Sequence, residues 1–186
     1  SNTAVGLQAL QNNTTGDGNI AVGRNAMQAN TTGTRNTAIG YTAYDASDTE
    51  NDNLAIGYAA MTTNTAGGTG NVAVGNYALD ALTSGDANVA VGKDALTAAT
   101  TGGTNTAVGY EALATMTDAT RNTAVGKSAL QNATGSFNTA VGSASLENNS
   151  TGAQNVAVGD YTLNANTTAS FNTALGQGAM LVNTTG

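Results

Sequence analysis

Small, aliphatic and polar positions follow one another in a fixed order that returns again and again along this chain. From Asn105 the residues read NTAVGYEAL, and near copies stand at Asn2 (NTAVGLQAL), Asn71 (NVAVGNYAL) and Asn122 (NTAVGKSAL). Anchored on that asparagine, units begin at Asn2, Asn19, Asn36, Asn53, Asn71, Asn88, Asn105, Asn122, Asn138, Asn155 and Asn172. The spacing is 17 residues, except 18 from Asn53 to Asn71 and 16 from Asn122 to Asn138. The second residue after each anchor is always Ala. The fourth is always Gly: Gly6, Gly23, Gly40, Gly57, Gly75, Gly92, Gly109, Gly126, Gly142, Gly159 and Gly176. Between them stands Val, Ile or Leu, as in Val5, Ile39 and Leu175. The eighth residue is Leu, Met or Tyr (Leu10, Met27, Tyr44), usually after Ala.

This order predicts elements. The T-A-V-G stretch is β-branched and closes on Gly, which suits a short strand and a tight turn. The x-x-A-L stretch is too short for a helix and reads as a second short strand. The Thr/Asn-rich remainder, often ending in T-T-G as at Thr14–Gly16, Thr31–Gly33 and Thr184–Gly186, reads as an exposed outer loop; both length exceptions fall in it. A unit of this length repeated in register predicts an all-β, parallel β-solenoid of eleven coils, one domain over residues 1–186.

Strand alternation sorts the positions into two faces. The Thr, Val, Ile or Leu after the anchor shares one with the Val or Ile two residues on, and the invariant Ala and Gly share the other. Unbroken smallness there means close approach, by the opposite wall of a thin coil or by a neighbouring chain. The anchor Asn suits an amide ladder along the axis or, equally, a turn residue satisfying local backbone groups. Each coil offers about two large apolar side chains, worth roughly 1.5–3 kcal/mol each. Ordering its backbone costs roughly 1–2 kcal/mol per residue. Burying the Ala/Gly face against other chains is the natural supplement, so an oligomer is expected.

Composition narrows function more than fold. Only 9% of the residues are charged, the net charge is −7, and five Lys/Arg cannot line a phosphate track, so no nucleic-acid partner is expected. No apolar run reaches the roughly 20 residues of a membrane span, and no signal peptide is evident. Without His or Cys, catalytic triads and most metal sites are excluded. The acids Asp17, Asp80, Asp94, Glu111, Glu147 and Asp160 are scattered rather than focused as a hydrolytic pair. The chain therefore reads as non-enzymatic, with no cofactor and no metal. The run Asp45, Asp48, Glu50 and Asp52 matches no calcium-loop spacing and reads as a solvated loop.

Tyr41, Tyr58, Tyr77, Tyr110 and Tyr161 follow the Gly turn. They suit either surface contact, with a sugar or a receptor, or packing within the turn. The abundance of Thr raises ice binding, but the position after the anchor mixes Thr with Ile20, Leu54, Val72, Val89 and Val156, and a flat two-column array is not evident. An ice- or glycan-binding module is the alternative to a structural role.

The motif N-[TV]-A-[VI]-G-x-x-A-L resembles the YadA-like head repeats of trimeric autotransporter adhesins. With its T-T-G tail it is also similar to the longer NTAxGxxAL arrays of phage-type tail-fibre proteins. The resemblance spans the whole chain, and the unit exceeds the adhesin head repeat by about the T-T-G loop. It implies a left-handed parallel β-roll, three chains packed into one rod, and an extracellular fibre or adhesin head that meets a cell-surface receptor or glycan. With no atypical capping unit at either end, continuation in a longer fibre or head-to-tail stacking into a filament is expected.

Overall fold

The computed structural model describes residues 1–64 and 67–184; of the T-T-G at Thr184–Gly186, Thr185 and Gly186 lie outside the described residues. Three-residue strands, from Thr3–Val5 to Thr173–Leu175, form one 11-stranded parallel sheet whose order is the order of the chain. Register is residue for residue: Val72 lies beside Val89, Ala73 beside Ala90 and Val74 beside Val91. The long and the short unit keep it, with Leu54 beside Val72 and Thr123 beside Thr139. The molecule is a β-solenoid, and no helix occurs among its described residues.

The second half of the motif is not a strand. Its residues form a turn in which the sixth and eighth positions both lie in the left-handed region, as in Asp94 (φ 58°) and Leu96 (φ 51°). That geometry turns two consecutive side chains inward: Ala95 and Leu96 are both fully buried, which strand alternation forbids. Left-handed backbone costs roughly 1–2 kcal/mol per residue outside Gly, and β-branched residues tolerate it worst. The eighth position accordingly holds Leu, Met or Tyr and never Val or Ile. Coil-to-coil hydrogen bonds hold the turn all the same, Leu96 N donating to Ala112 O (3.0 Å) and Asp94 N to Asn76 O (3.0 Å).

The turn glycine answers a different need. Its φ runs from 116° at Gly176 to 142° at Gly40, and a Cβ at Gly92 would overlap the Gly109 carbonyl in the coil above. Smallness here is imposed along the axis by the chain's own next coil. The invariant Ala is likewise an internal matter: Ala38, Ala73 and Ala107 are fully buried inside their own coils. The expectation that the Ala/Gly face meets other chains is thereby corrected. Ala meets the opposite wall of a thin coil, which the single chain supplies.

The drifting half is also more than an outer loop. Its eleventh position forms an interior column, Asn30, Ser47, Asn64, Leu82, Ala99, Met116, Ala133, Asn149 and Asn166, each fully buried. Where two asparagines adjoin, their amides link, Asn30 Nδ2 donating to Asn13 Oδ1 (2.9 Å) and Asn166 Nδ2 to Asn149 Oδ1 (2.6 Å). One residue further on, threonine hydroxyls donate to the next coil's carbonyl, as from Thr83 to Thr100 (3.0 Å) and from Thr100 to Thr117 (3.2 Å). The loop threonines are structural rungs.

Candidate functional site

The anchor asparagines do two jobs at once. Asn88 Nδ2 donates to Gly102 O (2.8 Å) at the end of its own coil, while its Oδ1 accepts Asn105 N from the next coil (3.0 Å) and Asn105 Nδ2 (3.1 Å). The first bond closes a coil and the others stack coils. The same backbone-to-amide link joins Asn19 to Asn2, Asn36 to Asn19 and so on to Asn172. These residues are buried from Asn19 to Asn155, so the column holds the structure and offers nothing to a partner.

The surface on offer lies on the other side of the strands. Side chains one and three residues after the anchor stand outward in two parallel columns. The first mixes Thr37, Thr106 and Thr123 with Ile20, Val89 and Val156; the second runs Val5, Val22, Ile39 and onward to Leu175. All are partly or fully exposed, and neither column carries a charge. Adjacent strands are about 4.8 Å apart, so the face is an uncharged strip of threonine and aliphatic side chains about 50 Å long. Threonine occupies only the first column, at six of its eleven positions, so the two columns are not a threonine array.

Odd positions continue outward beyond the strand: one residue before the anchor on one border, five after it on the other. All five cations of the chain lie on these two columns. Arg35 and Arg121 stand on the near border, and Arg24, Lys93 and Lys127 on the far one. Both phenylalanines, Phe137 and Phe171, join the near border, and Tyr41, Tyr58 and Tyr110 the far one. Acids accompany them: Asp17, Asp52 and Asp86 near, Asp94, Glu111 and Asp160 far. Arg35 grips Asp52 through two bonds (2.6 and 2.8 Å), and that hydrogen bonding holds the Asp52 carboxyl below its ordinary range. The opposite side of the solenoid carries Asp45, Asp48, Asp80, Asp118 and Glu147 with no Lys or Arg.

The five tyrosines singled out from the sequence are 37–50% exposed, and three of them pack on one another beside the turn. Tyr41 and Tyr58 stack with centroids 5.3 Å apart and planes 6° from parallel; Tyr77 meets Tyr58 edge-on at 5.4 Å. Arg24 lies 5.7 Å from the Tyr41 centroid and Lys93 5.5 Å from that of Tyr110. Each stacked ring thus has a face already covered, which weakens the case for a sugar there.

The acidic run does not behave as one solvated loop. Glu50 is buried, and its carboxylate accepts the N–H groups of Asp48 (2.9 Å), Thr49 (3.0 Å) and Gly67 (3.1 Å). No cluster of three potential metal ligands occurs among the described residues. An open recess of about 480 Å³ is lined by Ser84, Asp86, Thr101, Gly103, Thr104, Thr120 and Arg121 on the near border. A Cβ at Gly103 would press on the Asp86 backbone, 3.0 Å from its carbonyl oxygen.

Sequence reasoning missed the eleventh-position column and the border columns. Strand parity carried no signal for the near border, because Arg35, Arg121, Phe137 and Phe171 are exposed from left-handed backbone (φ 57–63°) outside the strand. No family model matches this chain, and neither a curated protein nor a solved structure does.

Proposed function

We propose that this chain is a structural module of an extracellular fibre, adhesin head or tail-fibre shaft, which associates with further copies of itself through the flat aliphatic face. The observation that carries this reading is the face itself: an uncharged strip along the whole solenoid, bordered by every Lys and Arg and most of the aromatics. An apolar centre with an Arg- and Tyr-bearing rim is the anatomy of a protein interface. Continuous apolar patches of this size are uncommon on chains that stay single. The purely acidic opposite side repels its like and leaves lateral bundling unfavourable. The motif's resemblance to adhesin heads and tail fibres supports the same reading and favours three chains. Mass measured over a dilution series, with electron micrographs of the same samples, tests it. A fixed oligomer or uniform filament supports it; a monomer at every concentration overturns it.

One observation favours a second reading. The outward threonines of the first column, such as Thr106 and Thr123, spend no hydroxyl within the chain, and a flat, regularly spaced Thr/Val array suits an ordered water layer. Thermal hysteresis from a monomeric sample would establish ice binding and displace the fibre reading.

A further inference from the structure

We infer that the interior of the solenoid binds an ordered water in the coil that begins at Asn36, held by Asn30 Oδ1, Ser47 Oγ and the Tyr44 hydroxyl. The site lies inside one chain, so it stands or falls independently of how copies associate.

The eleventh-position column shows why this coil differs. Where asparagine follows asparagine the amides reach one another directly, Asn30 Nδ2 to Asn13 Oδ1 at 2.9 Å and Asn166 Nδ2 to Asn149 Oδ1 at 2.6 Å. Above Asn30 the column holds Ser47, and Asn30 Oδ1 and Ser47 Oγ are both buried without a hydrogen-bond partner in the chain. A buried polar group left so costs roughly 1–3 kcal/mol. Serine ends one bond nearer the backbone than an asparagine amide, which adds roughly 1.5 Å to a contact of about 2.9 Å. The resulting separation of about 4.5 Å is too long for a direct bond. It suits two bonds of about 2.8 Å meeting at the tetrahedral angle of a water, which together span about 4.6 Å. Serine also has two fewer heavy atoms than asparagine, room on the order of a water's share of liquid volume, about 30 Å³.

Tyr44 supplies the third partner. It stands in the core column between Met27 and Met61, and its longer side chain carries a hydroxyl to the eleventh-position column. The hydroxyl oxygen accepts from Asn53 Nδ2 (2.6 Å) and Asn64 Nδ2 (3.2 Å), both in the coil above. The phenol therefore takes up the upper side of Ser47, which is the polar group beside it, and leaves the side towards Asn30 to the water. The water accepts from the Tyr44 and Ser47 hydroxyls and donates to Asn30 Oδ1, three bonds being typical of a buried water. A cation suits these partners poorly, because both hydroxyls have protons to donate. The buried carboxylate of this coil, Glu50, is already engaged by the N–H groups of Asp48, Thr49 and Gly67, so a buried cation would go uncompensated.

The other orphaned amides of the column make no such site. Asn166 Oδ1 is followed by Asn183, whose Nδ2 is also without a partner, and a small rotation joins the two directly. Asn64 Oδ1 is followed by Leu82, which offers a water no second polar partner in the column.

A high-resolution crystal structure of the full chain tests the site. A single density peak is expected within hydrogen-bonding distance of Asn30 Oδ1, Ser47 Oγ and Tyr44 Oη. Tyr44→Met/Ser47→Asn gives this coil the residues of the coil below, Met27 and Asn30. Asn166 and Ala169 show that an asparagine here tolerates a Cβ three residues on, as Glu50 presents. Magnetic relaxation dispersion of water oxygen, which counts waters held for long times, is expected to lose a single water in that variant. Ordered side chains with no peak, or a direct Ser47–Asn30 bond, overturns the inference. So does a peak ringed by about six oxygen ligands at metal distances, which marks a cation, or an unchanged water count in the folded variant. Should the variant fail to fold, the wild-type density decides alone.

Discussion

Interior asparagines are the side chains on which this molecule depends most heavily. Asn88 has two donors and two acceptor contacts in use, reaching Gly102, Asn71 and Asn105. Asn88→Ala strands those partners away from water, at about 1–3 kcal/mol for each group left unsatisfied. The expected loss is about 2–5 kcal/mol in urea unfolding. Asn172→Ala, in a half-buried amide with no coil above it among the described residues, is expected to lose less than about 1 kcal/mol. Tyr44 gives a pH signature. It replaces Leu or Met in the core column, and its hydroxyl accepts from Asn53 Nδ2 (2.6 Å) and Asn64 Nδ2 (3.2 Å). Burial pushes its phenol far above the ordinary value of 10.0. A folded-state value raised above the unfolded one means stability is whole below pH 10 and falls as pH rises beyond it. The slope from this one group is about 1.4 kcal/mol per pH unit. Urea melts between pH 9 and pH 11 are expected to show that slope in the wild type and a flatter one in Tyr44→Leu.

At the scale of one coil, strand and turn bond to the next coil through the backbone, while the Asn88–Gly102 bond and short turn bonds such as Ala99 N to Leu96 O (3.1 Å) close the coil from within. Gly92 and Gly176 separate the two reasons for a turn glycine. Both have positive φ (138° and 116°), but only Gly92 has a carbonyl pressed against the place of its missing Cβ. Gly176→Ala is expected to cost about 1–3 kcal/mol, the strain of the backbone alone. Gly92→Ala must also force two coils apart, so it is expected to abolish the cooperative unfolding transition or split it into two. Circular dichroism during urea titration distinguishes these outcomes.

Across the whole molecule the contrast is between a filled interior, where Asn30 Oδ1, Ser47 Oγ, Asn64 Oδ1 and Asn166 Oδ1 are buried without a hydrogen-bond partner, and an outward face that the chain itself does not cover. Among the described residues the interior columns are filled by the chain itself, so the association proposed above would use the outward strip and its borders. Val91 sits mid-strip and is 36% exposed. Val91→Lys is expected to leave the spectrum and melting of the isolated coil unchanged, because the side chain points away from the core. If copies associate through this strip as proposed, Val91→Lys is also expected to shift the assembly towards monomer in sedimentation, because a charge at the centre of that interface goes unpaired. An unchanged oligomer would move the association surface elsewhere.

By itself the sequence determined the periodic plan: a solenoid, its coils, its register and its turn glycines, because stacking identical coils demands identical residues at each contact. It also excluded the chemistry that needs His or Cys. What it left undecided is which way each column faces once the chain departs from a strand. Two left-handed residues in x-x-A-L send Ala95 and Leu96 inward together, and a period-two reading has no means of foreseeing that. For the same reason Asn30 and Met116 hid in a stretch that looked like surface loop, and Glu50 passed for a solvated acid. The inward Ala column shows the limit most plainly. Smallness was legible, but whether the close neighbour was the chain's own wall or another chain depended on the thickness of the coil, which only the folded backbone fixes.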